Sequence, residues 1–174
     1  DLRFVESDDV VSYVKKCGPE WIVNAGAMTD VDAAHLDPDR ALQVNGVAPG
    51  VLAGAAQEVG ARVIHISSEA VYEGSTEVPY TEADECRPVS VYGVSKLTGD
   101  LLTRTYSPES YVLRTSWLYS GQRGSNFPTR ILNQLEDPGK ELSVVTDIVG
   151  NPTPTSLVVD AIHAILRSPP EPGM

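Results

Sequence analysis

Short apolar runs rich in β-branched residues alternate with longer segments of helical pattern along the chain. The runs lie within residues 20–26, 60–69, 110–119 and 141–150. Their near-continuous apolar character predicts strands buried on both faces, which is typical of a parallel sheet. Helical segments are predicted at residues 39–60, 90–106 and 126–137, and the first two have lengths that suit crossovers between parallel strands. The sequence therefore predicts an α/β fold with a doubly wound parallel sheet.

Charge and cysteine content exclude several classes of function. The net charge of −11 argues against nucleic acid as a partner, because binding to phosphates requires a cationic face. An anionic small molecule stays compatible, since a helix N-terminus can hold one. Cys17 and Cys86 have neither a paired spacing nor a histidine cluster, which argues against zinc and against a disulfide framework. No apolar run approaches the roughly 20 residues of a membrane span. We expect a cytoplasmic protein without a metal or a membrane partner.

Small and hydroxyl-bearing residues follow two of the predicted strands. Ser67 and Ser68 stand where the second strand leaves the sheet, and Ala25, Gly26 and Ala27 follow the first. A serine there can polarise a substrate carbonyl or simply satisfy a turn. The small residues allow close approach of a ligand or form a plain tight turn. Because open α/β sheets bind ligands at the carboxyl ends of their strands, both features predict a site at this edge.

Tyr92 and Lys96 lie four residues apart in the second helical segment. On a helix, positions i and i+4 share one face, so both side chains are expected to point into the same cleft. A phenol ordinarily has a pKa near 10, and a neighbouring ammonium is expected to lower that pKa. Such a tyrosine could donate a proton to a developing alkoxide. The spacing alone is common in helices without any role, and the strand-end residues at the same edge favour the functional interpretation.

Pro49 interrupts the first helical segment. Because proline has no N–H, the carbonyl of Asn45 loses its partner four residues along the helix. A simple kink explains the pattern, and so does a water site placed beside Asn45.

Several blocks of the sequence carry a family resemblance. The order NAG…N…SS…YGVSK resembles that of the extended short-chain dehydrogenase/reductase superfamily. More narrowly, RTSWLY…NF at 114–127 and D-x-x-G-x-PT at 147–153 resemble the dTDP-4-dehydrorhamnose reductase family. The likeness runs over nearly the whole chain, and it implies a Rossmann-like domain.

The resemblance also implies roles for individual residues. Tyr92 would be the catalytic acid, and Lys96 would assist it and hold the nicotinamide ribose. Ser68 falls at the position of a catalytic threonine or serine, and Asn45 at that of an asparagine whose carbonyl holds a relay water. The other residues implied at the cofactor are Asp1, Leu2, Ala25, Gly26, Ala27 and Thr29. Those implied at the substrate, beside Ser68, are Val31, Glu69 and Trp117.

Two departures from the family pattern qualify the resemblance. Where the family has Thr-Asp-Tyr, this chain has Ser68, Glu69 and Ala70, which keeps the hydroxyl, lengthens the carboxylate and removes the aromatic ring. The identity of the substrate is therefore less constrained than the reaction type. The family's opening strand and glycine-rich loop, which cradle the pyrophosphate, have no counterpart here. We expect an N-terminally truncated fragment, which also lacks the family's C-terminal end and binds the cofactor poorly.

Together these features predict a partial NAD(P)-binding domain over residues 1–174, in which residues 141–174 lead into the substrate-binding part. The expected activity is reduction of the 4-keto group of a deoxysugar nucleotide in dTDP-rhamnose biosynthesis, with NADP or NAD. One alternative is an epimerase or dehydratase of the same superfamily, with Glu69 as the extra acid/base group. Another is a non-catalytic regulatory subunit on the same fold. The expected partner is a nucleotide sugar, and a homodimer is one assembly that the sequence allows.

Overall fold

The structure is a computed structural model of the chain, and it describes residues 7–76, 78–120, 127–136, 139, 141–143 and 148–173. The chain divides into two compact units. The first comprises Asp1–Arg114 with Glu171–Met174, and the second comprises Thr115–Pro170. The predicted domain organisation, with residues 141–174 leading into a substrate-binding part, stays a prediction.

The first unit alternates helices with the strands of one sheet. The strands of this sheet are β1 (Trp21–Asn24), β2 (Arg62–Ser68) and β3 (Tyr111–Thr115). The helices are α1 (Ser7–Cys17), α2 (Val31–Leu36), α3 (Pro38–Leu42), α4 (Ala48–Val59) and α5 (Val91–Tyr106). A π-helical turn occupies Gln43–Val47, and a 3-10 turn occupies Glu69–Val71.

Strand β2 is the centre of the sheet, whose order is β1-β2-β3. Strands β1 and β2 run parallel, with Trp21 opposite Arg62 and Asn24 opposite His65. Five of the seven residues of β2 are buried, including the polar residues His65, Ser67 and Ser68, as expected for the central strand of a parallel sheet. The predicted α/β, Rossmann-like fold class is confirmed.

Small side chains bring helix α4 close to the sheet. The buried cluster between them, with Ile22 and Val59 packed against it, is formed by Ala53, Ala56, Ala61 and Val63. Because an alanine contributes only a methyl group, the helix backbone can approach β2 without leaving a void. Gly60 ends α4 with a φ of 72°, the left-handed conformation that glycine adopts at no steric cost.

The segment predicted as one helix over residues 39–60 is helical from Pro38 to Val59, and it contains a π-helical turn. In the π-helical turn the Ala48 N–H donates to the Gln43 carbonyl, five residues back. Pro49 consequently lies in the first turn of α4, where a missing N–H costs little. The predicted helical segment is confirmed, and the widened turn accommodates the proline within it. The predicted water site beside Asn45 stays a prediction.

The second unit contains a short parallel pair of strands, β4 (Leu118–Tyr119) and β5 (Thr153–Pro154). Its helices are α6 (Phe127–Leu135) and α7 (Thr155–Arg167). The run predicted as one strand over 110–119 therefore contributes to two sheets. The strand predicted at 141–150 is not formed in its described parts, 141–143 and 148–150. None of the helices in the described ranges is long and apolar enough to cross a membrane.

Candidate active site

The N-terminal end of α5 fixes where Tyr92 stands. Ser90 caps the helix, because its side chain accepts a hydrogen bond from the Gly93 N–H at 3.0 Å. Gly93 has no room for a side chain, since a Cβ there would collide with the carbonyl of Ala70. The helix can therefore begin directly against the 3-10 turn that follows β2, and this places Tyr92 beside the end of that strand.

Lys96 is buried one turn further along α5, with 2% of its surface exposed. Its Nζ donates to the carbonyl of Ile66 at 2.7 Å. This carbonyl lies beyond the end of the β1 ladder, because β1 ends at Asn24. The chain then turns away, and the Gly26 N–H donates to the Asn24 side chain at 3.2 Å. Lys96 thus satisfies a strand carbonyl that the neighbouring strand no longer reaches.

Ser68 and Glu69 converge on Tyr92 from the strand end. The Ser68 hydroxyl donates to Oε2 of Glu69 at 2.9 Å and accepts from the Ala70 N–H at 3.2 Å. Burial raises the pKa of Tyr92, a hydrogen bond with Ser68 lowers it, and the charge of Glu69 raises it further. The net shift of the pKa is upward, so the expectation that an ammonium lowers the pKa of this phenol was wrong.

The pKa of Lys96 is lowered to about 8, because burial disfavours the ammonium. The negative charge of Asp100 opposes that shift. Near neutral pH, a protonated phenol therefore stands one helical turn from a lysine that is mostly charged. This combination suits proton donation better than proton abstraction.

Asn45 connects the segment after β1 to helix α5, and it is fully buried. Its Oδ1 accepts from the Met28 N–H at 2.8 Å, and its Nδ2 donates to the Met28 carbonyl at 3.0 Å. The same Nδ2 donates to Oγ of Ser95, which donates to the Tyr92 carbonyl at 2.7 Å. The backbone carbonyl of Asn45 lies against Gly99, where a Cβ would collide with it. The predicted relay-water role of this carbonyl stays a prediction.

The residues predicted to touch the cofactor form an irregular segment between β1 and α2. Ala25, Gly26 and Thr29 are exposed, and Ala27 is half-buried. Val31 begins α2 and is 49% exposed, so it is available to a ligand. Asp1 and Leu2 lie outside the described residues.

Trp117 belongs to the second unit and has an unusual backbone. Its φ of 44° lies in the left-handed region, which a bulky residue seldom adopts. Its indole packs on Gly150, where a Cβ would lie 2.5 Å from Cε2. The predicted contact of Trp117 with the substrate stays a prediction. Gly150 was noted in the sequence only as part of the D-x-x-G-x-PT pattern, and the structure adds that it packs against the indole.

We expect Gly150→Ala to displace the Trp117 indole, because the added methyl group would overlap the ring. Overpacking of this kind costs about 1–3 kcal/mol of folding free energy. In a Trp21→Phe background Trp117 is the one tryptophan left, and its emission maximum should move to longer wavelength. Gly54→Ala is the matched control, since nothing lies within 4 Å of a Cβ there. An emission maximum that both variants leave unchanged would contradict the packing.

Sequence reasoning missed a buried polar group behind the site. Asp100 lies one turn beyond Lys96 and is 1% exposed. Its Oδ2 accepts from Nε of Arg114 on β3 at 3.1 Å, and its Oδ1 lies 3.8 Å from Nε2 of His65 on β2. The four-residue spacing from Lys96 is a visible signal for Asp100, whereas the other two partners become evident only when the strands are assembled.

Taken together, the side chains at this edge provide a proton donor, a buried cation and a strand-end hydroxyl beside an exposed segment of small residues. Within the described ranges, no group of three or more His, Cys, Asp or Glu side chains could hold a metal ion.

The chain is similar to known proteins over nearly its whole length. The family model of the RmlD substrate binding domain matches residues 1–172. The dTDP-4-dehydrorhamnose reductase of Escherichia coli (strain K12) is 37% identical over 175 residues, which cover 98% of this chain and 58% of that protein.

Solved structures agree with the sequence relatives. The crystal structure of a dTDP-4-dehydrorhamnose reductase ortholog from Clostridium acetobutylicum superposes with a TM-score of 0.89 at 34% identity, over 94% of this chain and 57% of that one. The dTDP-4-dehydrorhamnose reductase of Bacillus anthracis in complex with NADP superposes with a TM-score of 0.87 at 31% identity, over 97% and 59%. The chain therefore spans less than two thirds of the length of these relatives.

Proposed function

The chain belongs to the RmlD substrate binding domain family, and from this premise we propose that the protein containing it reduces the 4-keto group of a dTDP-linked deoxysugar with NADPH or NADH. The resemblance seen in the sequence is confirmed at the level of the family. The observation that carries the proposal is the meeting of Ser68 with Tyr92, one helical turn from the buried Lys96.

Each side chain has a defined task in such a reduction. When substrate binds, the Ser68 hydroxyl gives up its hydrogen bond to Glu69 and donates to the substrate carbonyl oxygen, which orients that oxygen toward Tyr92. The Tyr92 hydroxyl, kept protonated by its raised pKa, gives its proton to that oxygen as it becomes an alcohol. Lys96 stabilises the phenolate that is left, and solvent returns the proton. The nicotinamide supplies the hydride to the carbonyl carbon when it is bound.

The residues present fit the nicotinamide end of the cofactor. An ammonium has three donors, and Lys96 uses one of them on the carbonyl of Ile66. The others could hold the ribose hydroxyls. Ala25, Gly26 and Ala27 have side chains small enough for a flat ring to approach the backbone. Asn45 holds this segment in place through its two hydrogen bonds with Met28.

A second candidate function is favoured by one observation. Glu69 is hydrogen-bonded to Ser68 and acts electrostatically on Tyr92. It therefore stands where an epimerase or dehydratase needs an additional acid/base group. Such enzymes return the hydride to the sugar, so that the oxidised and reduced cofactor are recycled.

The stoichiometry of the cofactor distinguishes the candidates. We expect the protein that contains this chain to oxidise one NADPH or NADH for each dTDP-4-keto-6-deoxysugar converted, followed by absorbance at 340 nm and by chromatography of the sugar nucleotide. Conversion without net oxidation would favour the epimerase or dehydratase. Absence of any conversion, with the cofactor bound, would favour a regulatory subunit. The oligomeric state, including a homodimer, stays open.

A further inference from the structure

Helix α5 carries a second buried charge one turn beyond Lys96. We propose that this residue, Asp100, is a positioning residue that keeps Lys96 as an ammonium where its Nζ meets the Ile66 carbonyl of β2. The inference rests on the proposed function, because only there does the charge of Lys96 serve the proton donor. It goes beyond the catalytic set of Ser68, Tyr92 and Lys96 by assigning a task to an acid that touches neither substrate nor cofactor.

Burial makes the charge of Lys96 costly. The side chain is 2% exposed, and its Nζ has a neutral carbonyl as its hydrogen-bond partner. An ammonium removed from water tends to lose its proton unless an anion stands close by. Asp100 is that anion, since it occupies position i+4 on the same helix face and its charge acts to keep Lys96 protonated.

The other groups near Lys96 do not substitute for Asp100. His65 is fully buried, and its Nδ1 faces Nδ2 of Asn24 at 3.0 Å. The Asn24 oxygen accepts from the Gly26 N–H, which fixes the orientation of the amide. Nδ1 of His65 is thus the acceptor and its proton is on Nε2, so the ring is neutral. The ionisable groups that interact electrostatically with Lys96 are Asp100 on the same helix and His65 on β2. Tyr92 lies one turn before Lys96 on α5, and Arg114 of β3 contacts Asp100.

Arg114 opposes protonation of Asp100. Burial raises the pKa of Asp100 overall, and hydrogen bonds from Ser67 and Arg114, with the charges of Arg114 and Lys96, counteract that rise. Arg114 is itself fixed, because its Nη1 donates to the Tyr72 hydroxyl at 2.7 Å. Tyr72 stacks on Tyr80 with ring centroids 4.3 Å apart. Asp100 therefore has direct partners on β2 (Ser67) and β3 (Arg114), and the tyrosine pair before α5 fixes the arginine.

Lysine resonances offer a test that needs no turnover. The chain has four lysines, at positions 15, 16, 96 and 140, so a protein labelled with [ε-¹³C]lysine gives few signals. We expect Asp100→Asn to move the titration midpoint of Lys96 to lower pH. Asp100→Glu, which keeps the charge, should return the midpoint toward that of the wild type.

A matched control comes from an exposed ion pair. Nζ of Lys15 lies 2.7 Å from Glu58, with about half of each side chain exposed. Because solvent screens that pair, Glu58→Gln removes a carboxylate from an exposed site and should leave the Lys96 midpoint in place. A Lys96 midpoint that stays in place in Asp100→Asn overturns the proposal.

The wild type supplies a second measurement in case Asp100→Asn does not fold. Protonation of Asp100, followed through its labelled carboxyl carbon, should displace the Lys96 resonance at the same pH. A Lys96 signal that does not respond to this protonation also overturns the proposal. Failure of the protein to reduce a keto sugar would count against the proposed function alone, because both titrations are read without substrate or cofactor.

Discussion

Replacing Tyr92 by Phe is expected to lower the rate of keto-sugar reduction by about 10²–10⁴-fold, the range that a positioned general acid contributes. The variant keeps the ring and removes only the hydroxyl that Ser68 contacts. Folding stability should fall by no more than about 1 kcal/mol, the typical net value of one hydrogen bond. Rates are measured in the protein that contains this chain, with the cofactor saturating, and stability by urea unfolding.

Tyr106→Phe is the matched control for this variant. Tyr106 ends the same helix and is 53% exposed, so loss of its hydroxyl should leave the rate unchanged. If Tyr92→Phe kept the wild-type rate, Tyr92 would not be the proton donor, and the regulatory-subunit alternative would gain support. A loss of rate that follows a loss of folded protein would assign Tyr92 to structure rather than to chemistry.

The sequence predicted those parts of the site that depend on local spacing. Tyr92 and Lys96 share a face because a helix repeats every 3.6 residues, and α5 begins at Val91, one residue from the predicted start. Ser68 was predicted at the strand end, and it is the last residue of β2. Such positions follow from periodicity and from the meeting of strand ends at one edge of a parallel sheet.

Properties that depend on burial were not predictable in the same way. The pKa of Tyr92 rises because the ring is removed from water, and no spacing in the sequence measures that. The sequence singled out Asn45 through Pro49, yet its side-chain partners Met28 and Ser95 are 17 and 50 residues away. Arg114 reaches Asp100 only because β3 lies beside β2 in the sheet. Contacts of this kind are set by topology, which the linear pattern leaves open.

Acid is expected to destabilise the fold through His65. Burial and the charge of Lys96 lower the pKa of this imidazole from 6.5 to about 3. Between pH 6.5 and 3, His65 therefore binds a proton in the unfolded chain but stays neutral in the folded chain. The stability contributed by the neutral ring is fully present above pH 6.5 and is lost progressively as the pH falls toward 3. Since one pKa unit corresponds to 1.36 kcal/mol, the total loss is about 5 kcal/mol.

His65→Gln removes the titrating group and isolates its contribution. The free energy of unfolding, measured by urea at several pH values and normalised to pH 7, should fall less steeply between pH 6.5 and 3 than in the wild type. The difference in slope should approach about 1.4 kcal/mol per pH unit, the value for one proton. Carboxylates such as Asp84 and Glu85 also titrate in acid, but they are present in both proteins and cancel in the comparison.

His35→Gln is the control, because His35 is exposed on α2 whereas His65 is 0% exposed. Removing an exposed imidazole should leave the acid slope as it is in the wild type. The chain has three histidines, so their ring signals can also be followed individually by NMR. A His65 ring that titrates near 6.5 in the folded protein would contradict the prediction. It would also mean that the interior behind Lys96 admits a second positive charge, which the burial of His65 and the Asn24 donor on its Nδ1 argue against.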